Sequence, residues 1–344
     1  MPSLPPKTLN LALQGGGSHG AFTWGVLDRL LEDEDLKIEG ISGTSAGAMN
    51  AAALLQGHCK GGNKGAREAL DKFWTGVGEI AGFGASQQNV LGQMLGNWTS
   101  DFSPTAMIAD AWSRAFSPYQ INPFNFNPLR ELLEKMIDID AIRACNAIKV
   151  FVCATNVENG RPRIFNREEL TIDALMASGC LPFTFQAVEI DGKPYWDGGY
   201  VGNPAIFPLI YECESPDVAV VQVNPLVRTG VPDTPSEIIN RLNEISFNSA
   251  LIGEMRAVAF VQRLVEEDHL KSAEVARLKN MNMHLISAED EMRKLGASSK
   301  LNANMDFLLK LKQIGRVAAD AWLKVNRDAI GVNSTVDIHT TFLD

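Results

Sequence analysis

Leu9-Asn10-Leu11-Ala12-Leu13, followed one residue later by Gly15-Gly16-Gly17-Ser18-His19-Gly20, is an apolar-polar alternation running into a glycine-rich turn. Alternation at every second residue is the pattern of a strand. After the turn, Phe22, Val26, Leu27, Leu30 and Leu31 recur at helical spacing, so the turn joins a strand to a helix. Backbone N–H groups at such a junction face an anion. A second turn of this kind, Gly43-Thr44-Ser45-Ala46-Gly47, lies between a strand-like segment at 38–42 and an alanine-rich helical segment at 46–55. It fits G-x-S-x-G, in which small flanking residues permit the sharp bend that lifts a serine hydroxyl clear of the backbone. Ser45 is therefore the candidate nucleophile, framed by Gly43 and Gly47.

The same rhythm of strand and helix continues outward. Strand-like segments occur at 149–156, 187–190, 218–223 and 283–286, with helical patterns between several of them. This predicts a three-layer α/β/α sandwich around a mainly parallel sheet, with a nucleophile elbow. Residues 76–128 break the pattern. They are rich in Gly, Asn, Ser and aromatics, including Phe83, Trp98, Phe102, Trp112, Phe116, Tyr119, Phe124 and Phe126, and are expected to form an inserted lid or docking segment, with most of the rings in a local core. From 236 onward, stripes such as Ile238, Ile239, Leu242, Ile245 and Leu308, Leu311, Ile314, Val317 predict a mainly helical extension packed on the core. The expected division is a catalytic α/β domain over 9–235 and a helical extension over 236–344.

Composition narrows the function classes. The chain has 344 residues, 45% of them hydrophobic, enough for a substantial core. A net charge of −10 argues against nucleic acid and against simple electrostatic attachment to an anionic membrane. No apolar run approaches the roughly 18 residues of a membrane span, and the first residues lack a secretory signal. A soluble cytoplasmic protein is expected, with any lipid contact made through apolar surface. Cys59, Cys145, Cys153, Cys180 and Cys213 are odd in number and widely spaced, which predicts reduced, mostly buried thiols and no metal knuckle.

A serine nucleophile needs a base. Of the five histidines, His19, His58, His269, His284 and His339, only the last three come late enough for the chain order of an α/β-hydrolase triad. His269 sits in a charged turn, His339 near the terminus, and His284 in a strand-like segment with no acidic signature before it; each reads as a surface or satisfied structural residue. Asp197, in Tyr195-Trp196-Asp197-Gly198-Gly199, is the better partner, with Gly198 and Gly199 permitting close backbone approach. A competing reading exists, because Gly15, Gly17 and Gly20 satisfy G-x-G-x-x-G. That dinucleotide fingerprint wants an acid at the end of the next strand. Glu39 is the nearest, and the chain then runs straight into the serine turn, which makes this the weaker reading.

With these residues in view, the chain resembles the patatin-like phospholipase family, whose glycine-rich loop, G-x-S-x-G and D-G-G or D-G-A motifs occur here in the same order. The resemblance extends to Ala177-Ser178-Gly179-Cys180-Leu181-Pro182-Phe183 and to Asn203-Pro204, and covers residues 9 to 210. It implies a Ser-Asp dyad of Ser45 and Asp197, an oxyanion hole from Gly15, Gly16, Gly17 and Ser18, and hydrolysis of a lipid or other acyl ester without metal or cofactor. Alternatives are a thioesterase, a polyester depolymerase, or a regulatory protein that retains the fold. One departure stands out: the family often carries arginine or lysine where this chain has His19. That departure predicts a glycine loop without a fixed positive charge; His19 itself, read from its place at a helix start, is expected to turn to solvent, with a pH-sensitive donor as the alternative.

Overall fold

A computed structural model describes residues 6–84, 117–266 and 278–344. Among the described residues, eight strands form one sheet in the order β5-β6-β3-β2-β1-β7-β8, with β4 also paired to β3. They are β1 (Lys7–Leu13), β2 (Leu36–Thr44), β3 (Lys149–Asn156), β4 (Pro162–Asn166), β5 (Val188–Ile190), β6 (Lys193–Asp197), β7 (Asp217–Val221) and β8 (Asn282–Ile286). The run β3-β2-β1-β7-β8 is parallel throughout, and β4, β5 and β6 extend it antiparallel.

Alternation along the strands sorts the core into two layers. Leu9, Leu11 and Leu13 of β1 join Ala219 and Val221 of β7 on one face, while Ala12, Val218 and Val220 look to the other. The described helices are α1 (Gly20–Leu30), α2 (Ala46–Gly84, broken by non-helical Gly61 and Gly62), α3 (Pro118–Ile121), α4 (Pro128–Met136), α5 (Ile139–Ala144), α6 (Ile172–Ser178), α7 (Phe207–Glu212), α8 (Pro235–Glu266), α9 (Glu289–Arg293) and α10 (Met305–Asn326). Residues of α1, α2 and α10 fill the first face, and residues of α7 and α8 the second. This is the three-layer architecture expected from the alternating elements.

The C-terminal part is bound into the core. It contributes β8 to the sheet, and α10 lies along α1, where Arg29 pairs with Asp320 at 2.9 Å and Arg316 joins Arg67 on the buried carboxylate of Asp28. Lys312 Nζ also sits 4.0 Å from the centroid of the Trp24 ring.

Two readings are revised and one falls partly outside the described residues. Strands β4 and β6 had no clear signal, because Pro162 opens one and Pro194 lies within the other, and proline marks edges and turns more often than strands. The cysteines are not all reduced: Cys59 of α2 and Cys145, just beyond α5, form a disulfide with Cα atoms 6.0 Å apart, while Cys153, Cys180 and Cys213 are buried free thiols. Their separation of 86 residues hid the pairing; α5 lies against α2, where Gln56 Nε2 donates to Met136 O at 2.7 Å and Gln56 Oε1 accepts from Asp138 N at 2.5 Å. Of the segment expected at 76–128, residues 85–116 lie outside the described residues, as does His269.

Candidate active site

The two glycine turns stand at the carboxyl ends of neighbouring parallel strands, the edge of an α/β sheet where ligands bind. Leu13 of β1 is in register with Gly43 of β2, so the turns that follow lie side by side. Register also carries Asp197 to this edge. Thr44 of β2 is opposite Cys153 of β3, and the next residue of β3, Ala154, is opposite Asp197 of β6. Residues 45 and 197, far apart in sequence, therefore end strands that share β3 as neighbour.

Ser45 has φ 55, a left-handed conformation that is strained for a residue with a side chain. The surroundings hold it there. Its N–H donates to Ser178 Oγ at 2.9 Å, Ser178 Oγ donates to Cys153 O at 2.6 Å, and Ser45 O accepts from Met49 N at 3.1 Å as α2 begins. Gly43 and Gly47 are buried beneath the bend, where a Cβ on Gly47 would lie 2.2 Å from Leu13 O. Next to Ser45 runs Gly179, at which a Cβ would lie 3.6 Å from Ser45 Oγ.

Asp197 is 2% exposed. Its N–H donates to Cys180 O at 2.8 Å, its carbonyl accepts from Thr155 Oγ1 at 2.7 Å, and its Oδ1 accepts from Gly199 N at 2.7 Å. Burial raises the carboxyl to about 7, against the lowering pull of the Gly199 amide, the Ser45 hydroxyl as hydrogen-bond partner, and the charge of Lys300. A carboxyl so placed exchanges its proton near neutrality, with the Ser45 hydroxyl among the groups that act on it.

The glycine loop divides into two parts. Gly15 N donates to Asn203 Oδ1 at 2.6 Å, so that amide is spent on the loop's own anchorage and does not face a ligand. Among the described residues, no acceptor takes the N–H groups of Gly16, Gly17 or Ser18. Gly17 has φ +59 and is exposed, and a Cβ on it would meet Lys300 O at 2.3 Å, so no other residue fits there. Beneath the loop, Gln14 ties the strands together: its Oε1 accepts from Val223 N at 2.8 Å and Asn224 N at 2.9 Å, and its Nε2 donates to Asn203 O and Asn248 Oδ1, each at 3.1 Å. Gly20 is buried at the start of α1, against Ala46 and Trp74.

His19 is not turned to solvent. It is buried, its Nε2 lies 2.7 Å from Ser299 Oγ, and Phe307 meets it edge-on at 6.3 Å between centroids. Burial, aided by the charges of Lys300 and Arg228, holds its pKa well below the ordinary value, so the ring is neutral. The expectation failed because Ser299 and Phe307 arrive from the far end of the chain. His284 is the satisfied structural residue expected, with Nε2 3.0 Å from Asp217 Oδ1 and Nδ1 2.9 Å from Thr335 Oγ1. Glu39 accepts from Glu214 N at 2.6 Å and Ser215 N at 2.8 Å, which engages the one acid the dinucleotide reading had available.

A family model described as patatin-like phospholipase matches residues 11–210, more than half of the chain and the stretch that holds both turns and Asp197. The chain belongs to the patatin-like phospholipase family. Over 221 residues it is 27% identical to the cGAMP-activated phospholipase of Escherichia coli (strain TW11681), an alignment covering 58% of this chain and 53% of that protein. The chain thus spans about half the length of that relative. Among solved structures, VipD from Legionella pneumophila aligns over 90% of this chain and 68% of its own at TM-score 0.38 and 17% identity. The ExoU–SpcU complex from the type III secretion system of Pseudomonas aeruginosa aligns over 96% of this chain and 77% of its own, at TM-score 0.33 and 17% identity.

Sequence reasoning passed over several residues that shape this family member's site. Asn203 and Ser178 were visible only as parts of the family pattern, with no role attached. Gln14 looked like a polar residue between a strand and a turn. Nothing local marked Asn224 or Lys300, whose side chains reach the loop from separate elements.

Proposed function

We propose that the protein is a serine acyl hydrolase acting on lipid esters, with Ser45 as nucleophile and Asp197 as its base. The observation that carries this reading is the pairing of a strained, elbow-held serine with a buried carboxyl that titrates at about 7. In the acylation step a lone pair of Ser45 Oγ forms a bond to the ester carbonyl carbon. The Oγ proton passes to Asp197, and the carbonyl π pair moves onto oxygen, where the amides of Gly16, Gly17 and Ser18 receive it. Collapse expels the alkoxide, which takes the proton back from Asp197. Water then repeats the sequence in reverse to free the acid.

Two uncharged stretches beside the site support a lipid surface as the source of substrate. Residues 117–127 and 179–188 contain no Asp, Glu, Lys or Arg, and they are linked by Gln186 Nε2 donating to Asn122 O at 2.8 Å and Ala187 N donating to Tyr119 Oη at 3.2 Å. Phe124 is 94% and Phe183 75% exposed, with Tyr119, Ile121 and Phe126 also open to solvent. An apolar rim on a chain of net charge −10 suits a zwitterionic lipid interface better than an anionic one. Among the described residues, no helix is long and apolar enough to cross a membrane.

The test is turnover of a medium-chain p-nitrophenyl ester and of phosphatidylcholine by the wild type, Ser45→Ala and Asp197→Asn, together with labelling by a fluorophosphonate probe. Both variants are expected to lose turnover, and Ser45→Ala to lose the label. Activity retained in either would sink the dyad.

A further inference from the structure

The turn Ala297–Leu301, delivered between β8 and α10, lies against the glycine loop. Ser299 Oγ bonds His19, and the backbone oxygen of Lys300 occupies the space that a side chain on Gly17 would need. From this turn the side chain of Lys300 enters the site. Its Nζ donates to Asn224 Oδ1 at 2.8 Å, and the amide nitrogen of Asn224 donates to Gly15 O, also at 2.8 Å. Its Nζ also lies 5.9 Å from the centroid of Phe247, a ring whose edge is 3.1 Å from the Cβ position of Gly199. The ammonium therefore stands between the glycine loop on one side and the Asp197-Gly198-Gly199 turn on the other. Glu244, the nearby acid, is gripped by Arg228 through Nε at 2.7 Å and Nη2 at 2.7 Å, and Arg228 in turn holds Arg293 O and Leu295 O ahead of the Lys300 turn.

We propose that Lys300 is the positioning cation of the Ser45–Asp197 site, supplied by the C-terminal part of the chain to a glycine loop whose own His19 is buried against Ser299. The inference rests on the dyad reading. Acylation moves one negative charge from the Asp197 carboxylate to the oxyanion at Gly16 and Gly17. A cation placed beside only the carboxylate would oppose that transfer, whereas one placed between the two attracts the charge at both ends of its path. The tie through Asn224 to Gly15 O also fixes the loop, so the amides stay aimed while the charge moves. Burial lowers the Lys300 ammonium to about 8, with Glu244 and Asp197 acting to raise it and Arg228 to lower it. The groups facing Asp197 are Ser45, Lys300, Tyr200, Cys180 and Cys153, and the last three are held protonated by burial at neutral pH.

The experiment is the pH dependence of fluorophosphonate labelling at Ser45 in the full-length protein, comparing the wild type with Lys300→Met, Lys300→Gln and Lys300→Arg, each checked by thermal melting. Labelling in the wild type should rise through about pH 7, where Asp197 ionises. Removing the cation leaves the carboxyl harder to ionise, so the rise should move up by about one pH unit in the neutral variants, with roughly tenfold slower labelling at pH 6. Lys300→Arg should keep the wild-type midpoint. A neutral variant that folds, with an unmoved midpoint and a loss equal at every pH, reduces Lys300 to a structural role and overturns the proposal; so does a shifted midpoint in Lys300→Arg. Absence of label on wild-type Ser45 at every pH refutes the dyad, and the role of Lys300 with it.

Discussion

Replacing Asp197 by Asn should destroy activity and stabilise the fold, and the stabilisation should depend on pH. The carboxyl is 2% exposed and burial is the main cause of its raised pKa. Its folded-state pKa, about 7, lies above the value of 3.8 for a free side chain. A group whose pKa is raised by folding contributes its full stability below the unfolded pKa and loses it as pH rises through the folded one. Over this window the loss accrues at about 1.36 kcal/mol per unit, so a carboxylate at pH 8 costs the fold about 4 kcal/mol relative to its protonated form. Asparagine resembles that protonated form in shape and still accepts from Gly199 N. Equilibrium urea unfolding of the wild type and Asp197→Asn at half-unit steps from pH 4.5 to 8.5 reads the effect directly. The difference should be small at the acid end, grow in favour of the variant with a slope near 1.4 kcal/mol per unit, and level off above pH 7. The wild type's kcat/KM should rise over the same interval as its stability falls. A difference independent of pH would refute the reasoning, because it would mean that the carboxyl is not an ion held in a desolvated place.

Two further outcomes follow from other parts of the molecule. The Cys59–Cys145 bridge closes a loop of 86 residues, for which the chain-entropy model gives about 4–5 kcal/mol; Cys59→Ser should lower the unfolding midpoint accordingly, while labelling of Ser45 at 25 °C stays unchanged, and an identical midpoint with and without reductant would refute the bridge. Phe124→Ser with Phe183→Ser should weaken flotation with phosphatidylcholine vesicles several-fold and leave hydrolysis of a soluble p-nitrophenyl ester intact; unchanged vesicle binding would dismiss the apolar rim.

How much was legible depended on the range of the signal. Both glycine turns are local: alternation up to Leu13, glycine through the bend and helical spacing from Phe22 lie within about twenty residues, and the same holds around Ser45. Strand, turn and helix could be read because each propensity agreed with its neighbours. Asp197 was legible through its two glycines, although its strand was not, because Pro194 argued against a strand and only pairing with β3 and β5 overrides it. The cysteine pair was illegible for a related reason. Spacing rules describe frameworks whose partners are close in sequence, whereas Cys59 and Cys145 meet through the packing of α5 against α2.

The charge of the site was the least legible feature, and the reason is physical. Read locally, His19 at a helix start implies an exposed ring and a glycine loop without a fixed cation. Both inferences assume that the helix start faces water. The turn at Ala297–Leu301 removes that condition: it buries His19, whose Nε2 bonds Ser299 across 280 residues of sequence, and places the next residue, Lys300, at the loop. The two changes belong together. A protonated His19 beside Lys300 would put two cations in one desolvated space, and the charge of Lys300 is among the causes that hold His19 neutral. A single segment thus silences the local titratable group and substitutes a distant one. Each motif can be complete in sequence while the field that governs its chemistry is decided by a contact that no motif contains.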